Sequence, residues 1–333
     1  MSEVPERILV VGPSWVGDMV MAQSLFKTLK RHNGAAVIDV MGPRWSLPIL
    51  ARMPEVRHAL TLDTSHGQFG LKARWQLARQ LRGKYDRAIV LPRSWKSALV
   101  PFLAGIPRRN GFLGEQRYVV LTERRTLDRK VLDQTVKRFV SLGLPVEEGM
   151  PPSEIPVPSL ERDPDNLASL VTTLGLSSAP RIGMMPGAEY GPAKQWPLTH
   201  YHALAARLVA KGYDVIVLGG PKDVEAGEVI AEGQQGVFNL CGKTRLADAV
   251  DLLGSCEQVV TNDSGLMHVA AATGVRIHAI YGSSSPAYTP PLTTDATIHT
   301  LALSCSPCFE RKCPLGHTDC LNKLSVERIA ASM

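Results

Sequence analysis

Aromatic residues are few: 7 Phe, 5 Trp and 7 Tyr among 333. Hardly any interleave the basic residues, which weighs against stacking on single-stranded nucleic acid. No stretch reaches the roughly 18 unbroken apolar residues of a membrane-spanning helix. The opening MSEVPERILVV has acids ahead of its apolar run and no small-residue cleavage site. It does not resemble a secretory leader, so the cytoplasm is the expected compartment. Two familiar nucleotide signatures are also missing. After the first apolar run, Arg7 to Val11, comes GPSWVGDMVM, which is neither G-x-G-x-x-G nor a loop closed by Gly-Lys-Ser/Thr.

What that loop does carry is a carboxylate. Asp18 stands one residue past Gly17, at the carboxyl end of an expected strand and the start of an expected helix. In open α/β sheets ligands bind there. The plainer alternative is that Asp18 caps the helix, because Asp is a favoured N-cap residue.

Charge is unevenly spread behind a net +6. Residues 1–150 hold 24 Lys+Arg against 13 Asp+Glu, a surplus of 11; residues 151–333 hold 13 against 18, a deficit of 5. Basic pairs recur in the first half at Arg93/Lys96, Arg108/Arg109, Arg124/Arg125, Arg129/Lys130 and Lys137/Arg138. A basic surface speeds encounter with an anionic partner, although any single pair can equally be a solvated face.

At this length two domains are expected. Apolar runs alternate with helical patterns, which predicts parallel βαβ units and an α/β fold. Strands are expected near residues 7–11, 36–41, 56–60 and 87–91, then at 181–185, 214–218, 237–240, 258–261 and 276–281. Six prolines between Pro145 and Pro164 mark a linker. The reading is thus a first Rossmann-like domain over 1–150, a linker over 151–165 and a second such domain over 166–333. Each is a doubly wound parallel sheet, and the cleft between them is the expected active site.

Three loops of the second half follow expected strands. TNDSGLMH, residues 261–268, places small Ser264 and Gly265 where a helix opens, so its amides suit an anion. Asp263 there reads as a ligand holder or as an Asx turn or cap, and His268 as a core residue or a phosphate donor. PGAEYGPAKQWP, residues 186–197, has Lys194 as its only cation, suited to a diphosphate. GGPKDVE, residues 219–225, brings Asp223 and Glu225, acids suited to ribose hydroxyls. One half fits a nucleotide and the other offers a carboxylate, which suggests transfer from an activated donor to an acceptor.

GPSWVGDM, GAEYGPAKQWP and TNDSGLMHVAA together resemble the bacterial ADP-heptose:lipopolysaccharide heptosyltransferases of glycosyltransferase family 9, in their type II form. The likeness spans nearly the whole chain, including KSALVPFLAGIPRRNGFLGEQRY and YGSSSPAYTPPL. It implies a GT-B fold and an inverting transfer without catalytic metal. It also implies Asp18 as general base and Lys194 as the diphosphate partner. Donor contacts are implied at Gly187, Ala188, Asp223 or Glu225, Asp263, Ser264, Gly265, Leu266 and His268. The implied acceptor is an anionic Kdo-bearing lipid A carrying one heptose. Trp15, Gly17, Arg93, Lys96, Arg108, Arg109 and Arg117 are its candidate contacts. Attachment to the inner membrane face would be peripheral and electrostatic, and no nucleic acid partner is expected. Such enzymes usually finish with a helix crossing back to the first domain, whereas here only a short helical stretch follows Asn322.

Cys305, Cys308, Cys313 and Cys320 fall within sixteen positions, with His317 among them. In a cytosolic chain that grouping suits a structural zinc site, with disulfides, a cluster or free thiols as the other readings. Three rivals to the main reading differ in testable ways. A type I or III heptosyltransferase would use another acceptor. A nucleotide-sugar epimerase would convert the donor alone. A non-catalytic binding protein would tolerate loss of Asp18.

Overall fold

A computed structural model describes residues 5–62 and 70–333. The MSEV of the leader reading lies outside them. They form two compact units, one ending at Pro158 and the other starting at Ser159. The division falls inside the proline-rich stretch.

The first unit holds β1 (Arg7–Val11), α1 (Val16–His32), β2 (Val37–Gly42), α2 (Leu47–Leu50), β3 (Val56–Thr61) and α3 (Leu71–Leu81). It continues with β4 (Arg87–Val90), α4 (Leu99–Leu103), β5 (Arg108–Phe112), β6 (Glu123–Arg125) and α5 (Thr135–Gly143). Its sheet runs β3-β2-β1-β4-β5-β6, all parallel. Central β1 is apolar after Arg7 because both its faces are covered. Helix α1 packs against α5 and buries Met19 to Phe26 almost without interruption. Each such large apolar side chain contributes about 1.5–3 kcal/mol of burial. Buried Asp39 on β2 is satisfied by Arg57 at 2.6 Å and Tyr85 at 2.7 Å. Burial alone would raise its pKa, but the Arg57 and Tyr85 hydrogen bonds hold it below the usual carboxylate range.

The second unit repeats the plan with α6 (Pro164–Thr173), β7 (Arg181–Met185), α7 (Leu198–Ala210), β8 (Asp214–Val217), α8 (Val224–Ala231) and β9 (Val237–Asn239). Then come α9 (Leu246–Gly254), β10 (Gln258–Asn262), α10 (Gly265–Thr273), β11 (Arg276–Ile280), β12 (Ala296–His299), α11 (Asp319–Asn322) and α12 (Val326–Ala330). The parallel sheet order is β12-β11-β10-β7-β8-β9. Its core gathers Trp196, Tyr201, Leu204, Val215, Val260 and Leu324.

Two features depart from the sequence reading. The linker's last proline, Pro164, is the first residue of α6, and Asp163 caps that helix by accepting from the Asp165 and Asn166 amides. Proline fits a helix's first turn because the amide it lacks would be unpaired there anyway. Strands β5, β6 and β12 were not foreseen. The closing α12 packs on α7 of its own unit, through buried Val326 and Ile329 and an Arg207–Glu327 ion pair.

Candidate active site

In each unit the chain leaves the first strand for opposite sides of the sheet, so a switch point lies between β1 and β4 and another between β7 and β10. Ligands of doubly wound sheets bind outside the strand ends at such points.

At the first switch point Asp18 is the third residue of α1. Trp15 occupies the N-cap and makes no side-chain cap, so the capping alternative for Asp18 does not hold. Asp18 is half-buried, and among the described residues nothing ion-pairs with it or hydrogen-bonds to its carboxylate. Burial pushes its pKa up to about 6. A carboxyl poised there exchanges protons near neutral pH, which a general base requires. Trp15 is exposed and Gly17 buried beside it. From the β4 end, Arg93 and Lys96 project as exposed cations.

The other basic candidates lie elsewhere. Arg117 is fully buried and donates to the carbonyls of Pro92, at 2.8 Å, and of Phe112. It ties the loop after β4 to the loop after β5 and offers no charge to a ligand. Arg108 opens β5 and so stands at the amino edge of the sheet, where it pairs with Glu123 at 2.7 Å and Glu6 at 3.1 Å. Arg109, next to it, bonds the carbonyls of Val120 and Ile106 and lies over the Phe102 ring. These three belong to the fold, whereas Arg93 and Lys96 lie exposed in the loop after β4.

At the second switch point the loop after β7 is anchored by Trp196. Its ring is fully buried, its indole N–H donates to Leu324 and its backbone N–H donates to the Asn262 side chain. Asn262 also donates to the Pro186 carbonyl at 2.8 Å and accepts from Tyr201 at 3.1 Å, so it stitches the β7 and β10 loops together. Lys194, two residues before Trp196, places its ammonium 2.6 Å from Asp263 and 5.0 Å from the Tyr190 ring centroid. Asp263 therefore holds a lysine and caps no helix; the N-cap of α10 is Ser264, which makes no side-chain cap. The first amides of α10, at Gly265 and Leu266, are thus left for an anion. His268 follows on the same helix. Burial pushes its pKa down to about 4, so the ring is neutral, and its Nδ1 has no partner among the described residues.

The acids divide. Asp223 accepts from the Gly220 amide at 2.8 Å. A Cβ on Gly187 would sit 3.0 Å from its carboxylate oxygens, and one on Gly219 2.7 Å from Oδ2. The two glycines let the β7 and β8 loops close around that carboxylate, and burial raises its pKa. Gly187 and Ala188 remain half-buried beside it, while Glu225 is exposed on α8. Sequence reasoning missed Asn262, whose side-chain partners are all distant in the chain, and Tyr190, which reaches across to Phe309 and Arg311.

Known proteins resemble this chain over most of its length. Residues 74–319 match the family model "Glycosyltransferase family 9 (heptosyltransferase)". The chain is 47% identical over 305 residues to lipopolysaccharide heptosyltransferase 2 of Escherichia coli strain K12, covering 88% of this chain and 87% of that one. It is 46% identical over 304 residues to lipooligosaccharide heptosyltransferase 2 of Haemophilus influenzae, covering 88% of each. The solved structure of E. coli ADP-heptose lps heptosyltransferase II superposes with a TM-score of 0.87 at 41% identity, over 98% of this chain and 96% of that one. The fold is therefore that of the GT-B heptosyltransferases, and the chain is an enzyme belonging to glycosyltransferase family 9, the heptosyltransferases.

Proposed function

We propose that this enzyme transfers the second heptose of the lipopolysaccharide inner core from ADP-heptose to a heptosyl-Kdo-lipid A acceptor. The observation that carries the catalytic reading is the Asp18 carboxylate at the β1/β4 switch point, unpaired among the described residues, with its pKa pushed up to about 6. Asp18 takes the proton of the acceptor hydroxyl as that oxygen attacks the anomeric carbon. The glycosidic bond forms as the bond to the diphosphate breaks, with inversion, and ADP leaves. Lys194 and the α10 amides neutralise the departing diphosphate, a contribution that is often the largest single term. His268 offers a neutral ring nearby, and Asp223, held between the two glycine loops, is the better placed acid for the ribose hydroxyls.

The chemistry needs no catalytic metal in this reading. The first unit receives the acceptor through Trp15, Gly17, Arg93 and Lys96, and its basic surface favours peripheral attachment to an anionic inner membrane face. No helix among the described residues is long and apolar enough to cross a membrane. Nucleic acid has no part in the reading.

Acceptor choice is tested by offering ADP-heptose with Kdo-lipid A acceptors that carry or lack the first heptose, and weighing the lipid products. Gain of one heptose on the heptosylated acceptor alone supports the reading. Gain only on the heptose-free acceptor moves the enzyme to type I.

A further inference from the structure

Cys305, Cys308, Cys313 and Cys320 line one small cavity of about 20 Å³, together with Ala193, Ser283 and His317. None forms a disulfide. From residue 300 to residue 320 nothing is fully buried, and only Leu301 and Cys320, near its two ends, pack against the core of the second unit. Its backbone is nonetheless constrained. Ala302, Phe309 and Thr318 take φ of 46°, 59° and 50°, which non-glycine residues keep only where their surroundings impose it.

The stretch is strapped to the Lys194 loop. Tyr190 donates its hydroxyl to the Phe309 carbonyl at 2.7 Å, and the Ala193 N–H donates to the Arg311 carbonyl at 3.2 Å. The Arg311 carbonyl also lies against Gly191, leaving no room there for a side chain. Arg311 and Lys194 stand over the same Tyr190 ring, at 5.1 Å and 5.0 Å from its centroid. A segment whose middle has no buried residue is therefore tied to the near end of the loop that carries Lys194, while Trp196 anchors the far end.

Within it, Cys313 opens a Cys-Pro-Leu-Gly turn that needs the positive φ of Gly316, 75°. The Thr318 amide donates to the Cys313 sulfur at 3.4 Å, the kind of outer partner that orients a metal-bound thiolate. Cys320 instead sits on α11 and packs against the core of the second unit. His317 lines the cavity too, with its Nδ1 accepting from the Asp319 amide at 2.9 Å.

We propose that the four thiols bind one thiophilic metal ion, zinc or iron, as a structural site that braces the Lys194 loop from behind. Among the described residues no three potential ligands already surround a common point as a metal requires. Binding must therefore draw the four sulfurs inward around the cavity they line, to about 2.3 Å from the ion. The bracing role rests on the donor reading given above; the metal site does not.

The test measures zinc and iron per chain by plasma mass spectrometry on untagged protein passed over chelating resin, beside a native thiol count. The expected result is about one metal ion per chain, released as a mercurial caps four thiolates. Elemental analysis tells zinc from iron. ADP affinity by calorimetry should fall several-fold on release, with far-ultraviolet dichroism unchanged. Metal-free protein with four reactive thiols, or with two disulfides, overturns the site. Metal release that leaves ADP affinity intact overturns the bracing role. These readings need no cysteine variant to fold, and none depends on turnover.

Discussion

The Lys194 ammonium lies 2.6 Å from a carboxylate oxygen of Asp263, and both side chains are largely buried, 16% and 5% exposed. Stranding one charge of such a pair costs about 3–5 kcal/mol. Lys194→Ala should therefore lower the thermal midpoint, and adding Asp263→Ala should recover most of that loss. Turnover should stay down about a hundredfold or more in both variants, because the diphosphate has lost its cation. A double variant that regained turnover would make the pair purely structural.

Asp18 should show the opposite relation between stability and activity. An ionised carboxylate held half-buried without a partner opposes folding, so Asp18→Asn is expected to stabilise the protein at pH 8. After allowance for its partial exposure the gain is about 1–2 kcal/mol. Urea midpoints of the two proteins check this. A destabilised variant would mean that Asp18 is held by contacts the fold needs.

Acid should weaken the second unit well above the carboxylate range. Burial pushes the pKa values of His268, His278 and His299 down to about 4. Between pH 4 and about 6.5 the unfolded chain therefore binds more protons than the folded one, and stability falls as pH falls through that window. Asp18, raised to about 6, works in the reverse sense, as does Asp223 by direction. The decline should thus be steeper in Asp18→Asn. Thermal midpoints at pH 7.5 and pH 5 decide, and a flat profile in that variant would contradict the burial assignment.

Arg117 and Arg93 should separate cleanly. Arg117→Lys keeps the charge but loses the fork that reaches two carbonyls, so it should cost about 2 kcal/mol while leaving the acceptor KM unchanged. Arg93→Ala with Lys96→Ala should do the reverse: little change in midpoint and a raised acceptor KM, with the difference shrinking as salt is added. An acceptor KM that responds to Arg117 alone would restore Arg117 to the site.

Where apolar residues run unbroken the fold was legible, as in Ile8 to Val11, because both faces of a parallel strand are buried. Strand β5 was hidden because its Arg108 and Arg109 read as a surface pair and only the last residues turn inward. Strand β6, Glu-Arg-Arg, carries no apolar residue at all and exists only through its pairing with β5. The strand-end loops announced themselves by glycine and by the residues beside it, so Asp18, Lys194 and Ser264 could be picked out. Their partners could not. Lys194 and Asp263 are 69 positions apart, and Asn262 reaches back 76 positions to Pro186. Arg117 misled for the complementary reason: charge is visible in a sequence, but a guanidinium spent on the buried carbonyls of Pro92 and Phe112 is not.

The most direct measurement compares single-turnover heptose transfer by the wild type and Asp18→Asn, from ADP-heptose to the monoheptosylated acceptor, in EDTA, across pH 5 to 8. The account predicts a wild-type rate that rises through about pH 6 and a variant at least a hundredfold slower with no such rise. Equal rates in the two proteins, or a wild-type rate with no rise through about pH 6, would contradict it.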